Sequence, residues 1–233
     1  MAKTQPRPRR PWGSLSREAV VDAALDLVDN EGLEALSMPR LAAELDTGVM
    51  TLYGHIANKA DLIDALAERV LAGLETSEGQ AGDWEQHLAA HMRRLREAVL
   101  RHPALGAVLT ARGLTTPSVF HHLETGLSLL RSAGFGPRTA VEVYYALFTY
   151  TLGFLAWEIP RVHRQPPADY ARQWADSLAS LPAGDYPTLH ELADELPTAT
   201  SDSQFEAGIS ALLTGFNASC KQKARPKPRP RKG

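Results

Sequence analysis

Among 233 residues there is a single cysteine, Cys220. That excludes an intrachain disulfide framework and any cysteine-based zinc cluster. Long apolar runs are also missing. The longest, Val143–Trp157 (VYYALFTYTLGFLAW), has fifteen residues bracketed by Glu142 and Glu158, against the roughly 20 needed to span a bilayer. It predicts a helix buried on nearly all sides within a protein, and no membrane partner. No apolar stretch follows the N-terminal arginines, so no secretory signal is expected and a reducing cytoplasm fits. Enzymatic signatures are absent as well: there is no glycine-rich phosphate loop and no G-x-S-x-G elbow. His87 and His91 stand i,i+4 as a zinc pair would, but no Cys, and no Glu at H-E-x-x-H spacing, supports them. His121-His122 with Glu124 is no better, because adjacent helical residues point about 100° apart. Cys220 lacks a base partner. The expectation is a protein that is not an enzyme and that uses no cofactor or metal.

What is present looks globular. Hydrophobic content of 44% and charged content of 22% are ordinary for a soluble protein, and the length suits one large or two small domains. The formal charge of -2 conceals an asymmetry. Residues 1–13 carry Lys3, Arg7, Arg9 and Arg10 without an acid, and residues 221–233 carry seven more basic residues, also without one. Fourteen basic residues are left to face all 27 acids elsewhere. Basic tails on an acidic body suggest a polyanionic partner, with solubility as the plainer explanation. Rich in Pro and Arg, 1–13 is expected to be a disordered arm, and 221–233 a disordered tail.

Periodic structure starts after Ser16, a plausible N-cap with Glu18 in the first turn. Val20, Ala23, Ala24, Leu27 and Val28 share one helical face, and Gly32 is the expected C-terminal cap. Ser37 starts a short second helix that tolerates Pro39 in its first turn, with Leu41, Ala42 and Leu45 inward. Asp46-Thr47-Gly48 breaks it. Val49–His55 forms the next helix, with Val49 or Met50, Leu52 and Ile56 available for the core. Asn58 caps a further helix bearing Leu62, Ile63, Leu66, Val70 and Leu74. Two short helices joined by a tight glycine-containing turn make a helix-turn-helix, whose second helix enters the major groove. Its exposed face would carry Thr51, Tyr53, His55 and Lys59, groups able to donate to phosphate oxygens. Val49 and Met50 would turn apolar side chains to the groove, suited to thymine methyls. Between Ser14 and Leu74, however, four basic residues face eleven acids. Such a module is short of phosphate-neutralising charge, so Arg7, Arg9 and Arg10 are candidates for minor-groove insertion.

The run LSREAVVDAALDLVDNEGLEALSMPRLAAELDTGVMTLYGHIANKADLIDALAERVL resembles the DNA-binding region of TetR-family transcriptional repressors over about Ser16–Leu74. The resemblance implies that Thr51, Tyr53, His55 and Lys59 contact the operator, mainly its phosphates, and that Ser37 caps the second helix. Arg40, Thr47, Gly48, Val49 and Met50 complete the candidate DNA-binding set within a domain at 14–75. Pro39, followed by Arg40, stands where many members have an arginine, so one contact is lost or moved.

From about Asp83 onward every periodic segment reads as helical. Trp84, Leu88, His91 or Met92, Leu95 and Val99 line one helix, ended by His102-Pro103. Ala104–Ala111 is a short apolar helix, and another begins at Thr116-Pro117. The long apolar helix spans 138–159 and is followed by a loop enforced by Pro160 and Pro166-Pro167. Ala168–Leu181 is weakly amphipathic, Pro182–Pro197 irregular, and Ser201–Ser219 the last helix. The expected class is all-α, about ten helices: a three-helix helix-turn-helix domain joined to a larger ligand-binding and dimerisation domain at 82–220. FTYTLGFLAWE, LLRSAGF and FEAGISALLTGF resemble the tetracycline-repressor-type C-terminal domain. That likeness implies a homodimer built on 138–159 and 202–219, with Tyr150, Phe154, Phe205, Ile209, Leu212, Leu213 and Phe216 as interface candidates. It also implies an effector pocket, for which Leu105, Leu109, Phe120, Leu123, Tyr144, Tyr145, Phe148 and Trp157 are candidates; together they suggest an apolar or aromatic small molecule. Tetracycline-binding members hold a magnesium–drug chelate through histidines, and AVLTARGLTTP and FTYTLGF contain none; neither tetracycline nor magnesium is expected. The expected function is a repressor that binds a palindromic operator on double-stranded DNA and is released by an effector. The alternatives are a non-specific DNA-packaging protein acting through its tails, or a ligand-binding helical protein with a vestigial DNA-binding module.

Overall fold

The computed structural model of the chain describes residues 15–74, 84–103, 106, 108–109, 115–164, 167–198 and 200–223. Among these, the regular elements are ten α-helices and two short 3₁₀ turns, and none is a strand. Contacts divide the chain into two units. One comprises Met1–Glu75 with Arg101–His122, the other Thr76–Leu100 with Leu123–Gly233.

In the first unit, α1 (Arg17–Glu31) begins where Ser16 accepts a hydrogen bond from the Ala19 amide. It ends at Gly32, whose φ of 86° a side chain would tolerate poorly. α2 (Met38–Glu44) is capped by Ser37 through the Arg40 amide, with Pro39 in its first turn. α3 (Val49–Tyr53) follows, and α4 (Lys59–Leu71) is capped by Asn58, which accepts from the Asp61 amide. Val20, Leu36, Leu41, Leu52, Ile56 and Leu62 are fully buried in one core. Each contributes about 1.5–3 kcal/mol by leaving water. The segment Arg101–His122 is tied to this unit by polar contacts. His102 Nδ1 lies 2.8 Å from Asp29 Oδ2, and Ser118 donates to Glu68 through its hydroxyl (2.7 Å) and amide (3.0 Å). Burial, the largest single influence, raises the Glu68 pKa, but the hydrogen bonds from Ser118 and Thr116 together outweigh it and the net shift is downward.

The remaining helices are α5 (Trp84–Arg101), α6 (Pro117–Ser132), α7 (Pro137–Arg164), α8 (Pro167–Ala179), α9 (Pro187–Glu191) and α10 (Asp202–Lys223). The second core joins Leu88 and Met92 of α5 to Val143, Tyr144 and Leu147 of α7 and to Phe205, Ile209 and Leu213 of α10. Within it Arg96 is buried, donating to both Glu158 oxygens and to Asp202 Oδ1 at 2.7 Å. Its guanidinium also lies 4.9 Å from the Phe205 ring centroid, so one side chain binds α5, α7 and α10 together.

Three of the boundaries that differ from the sequence expectation have a physical reason or a bearing on the site. α3 ends at Tyr53 rather than His55 because the backbone turns at Gly54. α7 continues through Pro160 to Arg164 instead of stopping at 159. Proline removes one amide donor, but buried Leu155 and Glu158 before it, and an Arg161–Tyr170 bond after it, hold the helix in line. α10 takes in 221–223, the first residues of the expected tail. Most of Ala104–Ala111, the arm at 1–13 and residues 224–233 lie outside the described residues.

Candidate nucleic-acid interface and ligand cavity

α3 is held from beneath by Leu52 and from its far end by Ile56, both with no exposed surface. Anchored so, it turns its other side outward. Met50 is 81% exposed and Tyr53 46%; Ser37, Gly48, Thr51 and Lys59 are exposed too, while Thr47, Arg40 and His55 are half-buried. Val49 departs from the expectation that it faces the groove: it packs against the first core, leaving Met50 as the apolar side chain turned outward. The reason is helical geometry, since Val49 and Leu52, three apart, lie on the same face. The turn before α3 is shaped by Asp46, whose φ of 48° is rare for a side-chain-bearing residue. The Thr47 amide there donates back to the Ala42 carbonyl at 3.0 Å.

The turn after α3 has a fastener that periodicity does not reveal. Arg17, from the start of α1, donates to the His55 carbonyl at 2.8 Å and to both Asp61 oxygens. Asp61 in turn accepts from the Ala57 amide at 2.8 Å. The Arg17 hydrogen bond holds the Asp61 carboxyl below its ordinary pKa, against a smaller upward push from burial. Three of the four cations between Ser14 and Leu74, the reading head, are engaged by carboxylates: Arg17 by Asp61, Arg69 by Asp22, and Arg40 by both Glu31 and Glu44. Among the described residues of the head, Lys59 is the cation without such a partner. Arg7, Arg9 and Arg10 lie outside the described residues.

The second unit contains a cavity of about 480 Å³ between the C-terminal half of α7, α8 and the 3₁₀ turn Leu196–Thr198. Its walls include Tyr150, Phe154, Trp157, Arg161, Tyr170 and Trp174. The Arg161 guanidinium lies 4.6 Å from the Trp157 ring centroid and 5.3 Å from that of Tyr170. Its Nε donates to the Tyr170 hydroxyl at 3.0 Å, and the Trp174 indole donates to the same oxygen at 2.7 Å.

Two family descriptions cover most of the chain. "Bacterial regulatory proteins, tetR family" matches residues 20–66, and "Tetracyclin repressor-like, C-terminal domain" matches residues 76–220. The chain belongs to the TetR family. It is accordingly a DNA-binding transcriptional regulator, and α2–α3 is its helix-turn-helix. Curated relatives agree. The HTH-type transcriptional repressor DrrR1 of Streptomyces coeruleorubidus is 31% identical over 218 residues, covering 90% of this chain and 80% of that protein. Tetracycline repressor protein class E of Escherichia coli is 30% identical over 211 residues, covering 90% and 94%. Among solved structures, apo ActR from Streptomyces coelicolor matches with a TM-score of 0.79 at 32% identity, covering 92% of this chain and 100% of that one. ActR in complex with actinorhodin matches with a TM-score of 0.78 at 33% identity, covering 89% and 97%.

Those expected effector residues that belong to the second unit have different surroundings. Tyr144 is fully buried, and its ring so crowds Gly126 that a Cβ there would stand 2.3 Å away. Leu123 and Phe148 pack against the same core. Tyr145 is 49% exposed, set edge-on to Tyr144 and Phe148. Phe120, in the first unit, is 54% exposed, and Leu109 is half-buried. Leu105 lies outside the described residues. Trp157 alone of these lines the cavity, joined by Tyr150 and Phe154 from the expected interface.

Three residues of the expected interface are taken up inside the chain. Phe205, Ile209 and Leu213 are at most 4% exposed within a single chain, so they have no surface left for a second copy. Leu212 and Phe216 are partly buried against the same core, and Tyr150 stacks on Phe205 while Phe154 meets it edge-on. Sequence periodicity marks the apolar face of α10 but not which partner covers it. The outward face of α10 is instead Ala207, Ala211, Thr214 and Ala218; α7 exposes Val141 and Tyr145. Arg161, beyond Pro160 on α7, and Tyr170 and Trp174 on α8 carry no periodic signal that would mark them as cavity walls.

Proposed function

We propose that the protein is a homodimeric repressor that binds a palindromic operator and is released by a small aromatic effector. The observation that carries the reading is α3 itself, fixed by two fully buried residues while Met50, Thr51 and Tyr53 stand free. Tyr53 and Thr51 supply hydroxyls, Lys59 an ammonium at the start of α4, and Ser37, Thr47, Gly48 and His55 flank them; all suit phosphate contact. Arg40 joins this set once it exchanges its carboxylates for phosphate, and Arg7, Arg9 and Arg10 extend it into the minor groove. Met50 offers an apolar contact to a thymine methyl.

One head presents little positive charge, so two are needed. C2 pairing through the small-residue face of α10 and the exposed side of α7 sets two copies of α3 against successive half-sites. Repression is the function named for DrrR1 and for the tetracycline repressor, and ActR, crystallised with actinorhodin, supports a small-molecule effector. The effector enters the second unit and shifts the balance between binding-competent and released states by its differential affinity. A gel shift on DNA flanking the protein's own gene tests this. The Tyr53→Ala, Lys59→Ala double variant should remain dimeric and lose that DNA.

A further inference from the structure

We propose that the cavity over Gly153 binds a planar aromatic anion, its acid group meeting Arg161 and its rings lying against Trp157 and Trp174. The inference rests on the reading of the second unit as the effector-binding half, and names the site and ligand class within it. At about 480 Å³ the space suits a small molecule. Above Gly153 the wall is bare: apart from its own stretch of helix, no atom stands within 4 Å of where a Cβ would be.

The chemistry of the walls selects the ligand. Aromatic faces from α7 and α8, with Leu196 and Pro197, favour a flat carbon frame. Against them stands one cation. Arg93, Arg96, Arg138 and Arg172 of the same unit each hold a carboxylate. Arg161 does not: among the described residues its donors go to a phenol oxygen and to the Trp157 carbonyl, and no acid meets it. The guanidinium lies over the Trp157 ring and is tied to the Tyr170 hydroxyl, and among the described residues no acid balances its charge beside the apolar walls. A carboxylate entering there forms a charge-assisted hydrogen bond with Arg161. The Tyr170 oxygen already accepts two hydrogen bonds, so its own proton is left to donate to the same carboxylate.

The test uses the full-length protein, anthracene-2-carboxylate, and its neutral isostere anthracene-2-carboxamide. Trp157 and Trp174 report binding by transfer of their emission to anthracene. The acid should bind about tenfold or more tightly than the amide. Arg161→Gln should abolish that preference while leaving amide affinity nearly unchanged. Gly153→Leu, which adds a good helix former pointing into open space, should weaken both probes. Equal affinity for the two probes, a preference that survives Arg161→Gln, or binding indifferent to Gly153→Leu would each overturn the site. So would absence of binding to the dimer because a second copy covers the cavity. Repeating the titration with operator DNA separates the two readings. Binding through Arg161 without DNA release leaves the site standing and removes its effector role. Release by a compound indifferent to both substitutions keeps the effector reading and removes this site.

Discussion

Arg40 sits between Glu31 and Glu44, its Nη2 2.5 Å from one carboxylate and its Nη1 3.1 Å from the other. Phosphate must compete with both before Arg40 can serve the DNA. Glu31→Gln with Glu44→Gln should therefore tighten operator binding by about tenfold and steepen its salt dependence by about one ion. Anisotropy titrations at several salt concentrations check this. Arg96 poses the opposite case. It and Glu158 are nearly inaccessible, with side-chain exposures of 10% and 5%. Arg96→Met leaves a buried carboxylate unpaired and should cost about 3–5 kcal/mol in denaturant unfolding; adding Glu158→Met should recover much of that loss. Asp61 gives a pH dependence. Its folded pKa is depressed, so its stabilisation of the α3–α4 turn is complete above the ordinary 3.8 and is lost as pH falls from there through the lower folded value. Asp61→Asn should flatten that acid limb of the unfolding curve.

At the scale of elements, α7 and α10 approach closely because Gly208 lets them. A Cβ on Gly208 would lie 2.0 Å from the Tyr150 hydroxyl oxygen, which donates to the Gln204 and Phe205 carbonyls. Gly208→Ala should cost about 1–3 kcal/mol through overpacking, despite the better helix propensity of alanine; thermal unfolding measures it. This scale also shows what was legible beforehand. The caps at Ser16, Ser37 and Asn58, and the stripes of α1 and α4, are local patterns, and they predict those helices closely. The apolar face of α10 is legible in the sequence, but not its partner: Phe205 and Ile209 turn to α7 within the same chain. Likewise Val49 or Met50 was an open choice until packing decided it. Pro160 reads locally as a stop, yet tertiary contacts on either side carry α7 through it. Contacts such as Arg17–Asp61 or Arg40–Glu31 join residues whose pairing has no periodic signature. The cavity is less legible still, since it is a space between α7, α8 and a 3₁₀ turn.

For the whole molecule, the proposed reading makes dimerisation a condition of DNA binding, because among the described residues between Ser14 and Leu74 only Lys59 is a cation without a carboxylate partner. Ala211→Arg places a long cation on the bare face of α10 without touching its buried side. It should yield folded monomers by sedimentation, with operator affinity falling by several orders of magnitude as the second half-site is lost. The central claim is that α3 and the start of α4 read the operator. The most direct measurement is operator affinity of the Tyr53→Ala, Lys59→Ala variant, taken by anisotropy alongside its sedimentation coefficient. The account predicts an intact dimer whose specific binding has dropped to the level of random DNA. An intact dimer that binds operator as tightly as the parent would contradict it.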